Sequence, residues 1–349
     1  MRSKRLVADG EPGPLMASRP SELGVPWVQS RRHLMSLWSG LSTGSQVMWP
    51  LFVTMLVIYF ALEPDGLRIT QLSLTIQTTL PLVLVSVAQC FVLLTGGIDV
   101  SVGGVMALTD VLMATWLRGG NEWHIVLIVI IGLGAGVLNG CLVVVAKIPP
   151  FIATIATWSI YDGIALYILG SPGGSPPASF TTWVTGTAGP FPMPILLLVA
   201  LLLLAWYSRN TELLKRIISI GSDKERAHLS GVRVERTQFA AYAIAGLFAA
   251  LAGIYLALIT ATGDPTVGDG YVLQSVEAAV IGGVSLAGGV GGMGMAVAGS
   301  FMLTCCYNII SELSIPSWVA PPILGVLLLT VIGLRSRLER RELEHREIR

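Results

Sequence analysis

The chain has 349 residues, 53% of them hydrophobic and only 12% charged, with a formal net charge of +1. Soluble domains carry about 25% charged residues, so this composition excludes an ordinary soluble enzyme. The near-neutral balance says nothing for nucleic acid, and no nucleic-acid partner is expected. Apolar runs recur at close to the ~20 residues that a helix needs to cross a bilayer. The expected fold class is an all-α polytopic membrane protein.

Residues 1–47 are polar, contain Pro and Gly, and hold no apolar core long enough for a secretory signal. They read as a disordered tail. Ten spans are predicted after it, over 48–62, 72–94, 100–117, 125–146, 151–169, 194–207, 239–260, 271–286, 295–313 and 318–334. A charged tail, 335–349, closes the chain. Of the 22 Lys and Arg residues, six precede the first span, seven lie in 208–236 and six follow Leu334. Ten crossings put those three segments and Lys147 on one side, which the positive-inside rule makes the cytoplasm. Both termini are therefore expected to be cytoplasmic.

The fourth span carries Gly132, Gly136 and Gly140 at four-residue spacing, a face along which two helix backbones can approach closely in lipid. Asn139 is expected to hydrogen-bond across the same contact. Two Gly-Gly segments interrupt spans: TGGIDVSVGG from Thr95, and GGVSLAGGVGGMG from Gly282. Aligning their first Gly pairs matches Gly96 and Gly97 with Gly282 and Gly283, and Asp99 with Ser285. Such interrupted segments in corresponding places point to two related halves with a translocation path between them. Asp99 is expected to cap a half-helix through the N–H of Ser101 or Val102, and Asp110, eleven residues on, to share its face. Glu277 and Asp162 are the other acids inside apolar stretches. The candidate path residues are Gly96, Gly97, Asp99, Ser101, Glu277, Gly282, Gly283 and Ser285.

Segment 208–236 is the one long charged stretch between the first and last spans. It reads as two short helices broken at Gly221, with a second break at Gly231, and with Leu213, Ile217 and Ile218 forming an apolar face. Pattern alone leaves two readings: a docking element for a soluble partner, or a solvated loop whose charge fixes orientation. On the opposite side lie two uncharged or acidic loops, 170–193 and 261–270.

The four cysteines all sit in apolar runs without metal-ligand spacing. Gly is nowhere followed by Lys, so no Walker-type phosphate loop exists, and neither a His-Glu-x-x-His nor a Gly-x-Ser-x-Gly motif occurs. No catalytic residue, metal or cofactor is expected.

Four stretches occur in one order: LTGGIDVSVGGVMAL from Leu94, GVLNGCLVVVAKIPPFIATIATWSIYDGIAL from Gly136, IGSDKERAHLSGV from Ile220, and AAVIGGVSLAGGVGG from Ala278. Together they resemble the permease subunits of ribose-type monosaccharide ABC importers, members of the branched binding-protein-dependent transport permease family. The resemblance implies a bacterial inner-membrane subunit that passes a monosaccharide. Its implied partners are a second permease subunit, a cytoplasmic ABC ATPase and an extracytoplasmic sugar-binding protein, besides membrane lipid. It also implies that Ile220 to Val232 is the ATPase-coupling element, with Gly221, Glu225, Ala227, Ser230 and Gly231 matching best. The chain departs from the family pattern at Val290, Asp223 and Arg226. The alternative is a secondary transporter driven by a proton or sodium gradient, with Asp99 or Glu277 as the coupling acid.

Overall fold

The computed structural model describes residues 43–117 and 122–347. Within them the chain is almost wholly helical: α1 (Thr43–Leu62), α2 (Ile69–Leu94), α3 (Ser101–Trp116), α4 (His124–Gly140), α5 (Pro150–Ile168), α6 (Ala178–Thr185), α7 (Met193–Ser208), α8 (Glu212–Ser222), α9 (Lys224–Leu229), α10 (Val234–Thr260), α11 (Gly268–Ile281), α12 (Met293–Glu312) and α13 (Ala320–Glu347). A π-helical turn, Cys141–Val145, extends α4, and a short antiparallel hairpin pairs Thr187–Ala188 (β1) with Phe191–Pro192 (β2).

Each of the ten predicted spans coincides with one helix. Five stretches, Ile69–Leu94, His124–Val145, Pro150–Ile168, Val234–Thr260 and Met293–Glu312, are individually long and apolar enough to cross a membrane. Met193–Ser208 passes the same test jointly with Glu212–Ser222, from which it bends by 68°. The chain is a multi-pass membrane protein.

Several predicted edges move. Helix α1 begins at Thr43, inside the stretch read as a tail; residues 1–42 of that tail lie outside the described residues. The span expected to run to Leu286 ends at Ile281, because Gly283 takes φ +104° and closes the helix. The loop expected over 170–193 contains α6 and the hairpin.

The core is built on α10 and α2. Helix α10 packs against α2, α3 and α4, while α11 and α12 pair with each other and close over α2. Every residue of α3 from Ser101 to Ala114 is buried, as an apolar helix surrounded by others must be. The Gly132–Gly136–Gly140 face packs closely on another helix as expected, and that helix is α10. A Cβ at Gly136 would overlap the Tyr242 carbonyl oxygen, and one at Gly246 would overlap the Gly132 carbonyl oxygen. Asn139, however, turns away from that seam and bonds toward α3 and α5.

Candidate functional site: two broken segments and the helix pair that touches them

Helix α2 ends in a Schellman motif. The Gly96 N–H donates to the Leu93 carbonyl (2.8 Å) and the Gly97 N–H to Val92 (3.2 Å), with Gly96 at φ +83°. Helix α11 ends identically: Gly283 donates to Val280 (2.9 Å) and Val284 to Ala279 (2.9 Å). The structural equivalence is thus Gly96 with Gly283, one residue away from the expected pairing of Gly96 with Gly282. On that register Asp99 corresponds to Leu286 and not to Ser285. A Gly-Gly pair does not reveal which member takes the left-handed turn, and that is the origin of the slip.

From Gly97 the chain re-enters the bundle as irregular backbone. The Val100 N–H donates to Thr154 Oγ1 (3.1 Å), and Thr154 Oγ1 donates to the Ile98 carbonyl (3.3 Å). Asp99 and Ser101 are both essentially buried. Asp99 Oδ1 accepts from the Ser101 N–H (2.9 Å) and from Ser101 Oγ (2.6 Å), the capping role expected of it. Asn139 Nδ2 donates to Ser101 Oγ (2.6 Å), and Thr157 Oγ1 donates to Asn139 Oδ1 (2.7 Å). With its amide turned to satisfy both groups, Gln89 donates to the Asp99 carbonyl (2.8 Å) and accepts from its N–H (3.2 Å). Non-helical backbone at membrane depth needs this kind of internal partner. Asn139, Thr157 and Gln89 were missed as site residues. Their signal was present, since an amide in an apolar run must find a partner.

Asp110 does not share this environment. Its Oδ2 accepts from the Asp264 N–H at 2.6 Å. The expected shared face fails because Asp99 precedes α3, so helical spacing does not connect the two acids. Glu277 and Asp162 are half-buried, and among the described residues neither makes an ion pair.

The central island folds as two helices, but the break falls at Asp223 rather than Gly221. Asp223 is extended (φ −163°, ψ 106°) and accepts from the N–H groups of Glu225 (3.1 Å) and Arg226 (3.0 Å), capping α9. Gly231, at φ +84°, ends α9 as expected. The buried face of α8 is Leu214, Ile217 and Ile220; Leu213 is exposed and Ile218 half-buried. Ala227 is buried with Ile220 and Val234 in a small separate cluster, whereas Glu225, Ser230 and Gly231 are exposed.

Gly221 stays helical because it must be small. A Cβ there would overlap the Leu94 carbonyl oxygen and the Gly289 nitrogen. The Gly289 N–H donates to that same Leu94 carbonyl (3.1 Å), and Ser222 Oγ reaches the Gly289 carbonyl (3.5 Å). A Cβ at Gly288 would lie 2.8 Å from the Gly96 nitrogen and 3.1 Å from the Gly221 Cα. The island, the end of α2 and the loop after α11 therefore meet backbone to backbone at one point. Of the expected path residues, Gly96 stands at this junction, and Gly97 is buried against Tyr242 and Pro150. Gly282 packs on α12 at Met295, and the N–H of half-buried Ser285 donates to the Val290 carbonyl (2.8 Å). Glu277 lies apart, on α11.

A family model described as "Branched-chain amino acid transport system / permease component" matches residues 71–332. That stretch takes in both broken segments and the island. The chain belongs to this permease family. It is 32% identical over 294 residues to the autoinducer 2 import system permease protein LsrC of Salmonella typhi, covering 82% of this chain and 84% of that protein. It is likewise 32% identical over 259 residues to the ribose import permease protein RbsC of Bacillus subtilis, covering 72% and 80%. No solved structure matches. A permease component is a transport subunit and not itself a catalyst, which accords with the absence of a phosphate loop from the sequence.

Proposed function

We propose that this permease is the membrane-spanning subunit of an ATP-driven, binding-protein-dependent monosaccharide importer of the bacterial inner membrane. One observation carries the reading: α8 sits on the backbone of both Gly-broken segments through Gly221, and α9 is joined directly to its end. Charged residues of that helix pair, Glu225 and Arg226 among them, are left open to a partner. A cytoplasmic ATPase gripping α8 and α9 would push on the end of α2 and on the loop after α11 together. Binding-protein docking is assigned to the opposite side, where the two expected loops join: Gly173 and Gly263 exchange backbone hydrogen bonds of 2.9 and 2.8 Å. The sugar assignment rests on the ribose and autoinducer 2 relatives. Ten crossings with both termini cytoplasmic, a second permease subunit and a path along Asp99, Ser101, Glu277 and the Gly-Gly segments complete the scheme.

The test is reconstitution. Proteoliposomes holding the permease with its ATPase should concentrate sugar only when ATP and the loaded binding protein are supplied. The variant Glu225→Ala/Arg226→Ala should lower uptake and stimulated ATP hydrolysis together. Concentrative uptake by the permease alone, collapsing with an uncoupler, would replace this scheme with a secondary transporter.

A further inference from the structure

At the end of the bundle opposite the island, a 230 Å³ cavity opens between α1, α2 and α12. Its wall is mostly polar and lies close to the ends of all three helices. Gln71 and Thr75 line it from α2, Asn308 and Ser311 from α12, and Glu63 and Glu312 stand at the helix ends. Thr78, nine residues into α2, lies about 13 Å along that helix at 1.5 Å per residue. Its hydroxyl donates to the Leu74 and Thr75 carbonyls (3.1 Å each), so the open hydrogen-bonding capacity of the cavity lies in its outer part, at the helix ends.

Among the described residues, the amides of Gln71 and Asn308, the Ser311 hydroxyl and the two carboxylates make no side-chain hydrogen bond within the protein. Tyr59 Oη reaches only Thr75 Oγ1, at 3.5 Å. Apart from the Thr75 and Thr78 hydroxyls, which are engaged within the protein, donors and acceptors are thus interspersed and unspent. A sugar hydroxyl both donates and accepts, so an array of ring hydroxyls can satisfy amides and carboxylates at once. The volume equals that of about eight waters at ~30 Å³ each, and it lies below the roughly 300–1,000 Å³ usual for drug-sized ligands. One monosaccharide fits that room.

We infer that this cavity is an outer-mouth subsite through which a single monosaccharide passes, held by Gln71 and Asn308. The inference rests on the sugar-importer reading, but its test needs neither ATPase nor binding protein, so the two can fail separately.

The test places a reporter, Ser311→Cys, in the full chain in nanodiscs. Native Cys90, Cys305 and Cys306 are buried and Cys141 half-buried, so the parent chain supplies the labelling background. Labelling by a hydrophilic maleimide is measured with D-ribose, D-xylose, D-glucose, D-galactose, betaine or L-arginine, each at about 10 mM. A Kd near 1 mM predicts labelling about tenfold slower for at least one sugar, and no slowing by betaine. Adding Gln71→Leu and Asn308→Leu should abolish the protection, and Gln71→Leu alone should weaken it if the double variant does not fold. Equal labelling with and without every sugar overturns the inference. So does slowing by arginine alone, which would make the cavity a receptor for a cationic side chain, and so does protection that survives the leucine substitutions.

Discussion

Gly221 of α8 lies against the backbone carbonyl of Leu94, the last residue of α2, closely enough to leave no room for a Cβ. The same carbonyl accepts from Gly289 in the loop after α11. Three segments far apart in the chain meet at one oxygen atom, with no side chain between the backbone of α8 and that of either broken segment.

Replacing Gly221 by Val should therefore uncouple rather than abolish assembly. Inserting carbon into a closed contact costs about 1–3 kcal/mol, and here the strain falls on the joint between α8 and α2. We expect a lowered melting temperature in detergent and a larger loss of uptake per ATP hydrolysed. Wild-type stoichiometry in Gly221→Val would remove the joint from the mechanism.

Asp223 offers a gentler perturbation of the same element. Its carboxylate caps α9 through two N–H groups and pairs with Arg226 at 2.9 Å. The Arg226 side chain is 87% exposed, so the cap and not the ion pair matters. Asp223→Ala should cost about 0.5–2 kcal/mol of local helix stability and lower ATPase stimulation. Asp223→Asn keeps a capping oxygen and should behave nearly as wild type. Equal stimulation in Ala and Asn variants, measured with reconstituted partners, would exclude the cap as a determinant.

Much of this was legible in the sequence, for physical reasons. Apolar runs located ten helices, and in five stretches the run is as long as a bilayer crossing requires. Small-residue spacing located the packing face of α4, though not its partner α10, and Asp99 read correctly as a cap. What failed depended on tertiary contacts. Nothing in IIGLG-type spacing says that Asn139 faces Ser101 instead of the seam. Gly221 looked like a helix breaker, yet its role is steric and belongs to the partner backbone at Leu94. The polar cavity near Asn308 was invisible, since Gln71 and Asn308 are 237 positions apart in the chain and neither sits in a motif.

The buried network around Asp99 should be unforgiving. Ser101→Ala removes the 2.6 Å bond to Asp99 and leaves an Asn139 N–H donor without its acceptor. An orphaned buried polar group costs about 1–3 kcal/mol. Thermal melting should register that loss, and Ser101→Thr should recover part of it by keeping the hydroxyl. An unchanged melting temperature in Ser101→Ala would mean that the network adds nothing to stability.

The α4–α10 seam permits a paired test in which one substitution serves as the control for another on the same helix. A Cβ at Gly136 would overlap the Tyr242 carbonyl oxygen and meet Gly246 at 3.0 Å, whereas a Cβ at Gly134 meets nothing within 4 Å. Both substitutions to Ala bring the same gain in helix propensity, about 1 kcal/mol. Gly134→Ala should therefore be neutral or slightly stabilising. Gly136→Ala must push α10 away from α4, and α10 is the helix that also holds α2 and α3 in place. We expect a clear fall in melting temperature and in the yield of monodisperse protein for Gly136→Ala only. If the two variants melt together, close backbone approach is not what binds these helices, and the packing must rest on the flanking apolar side chains instead.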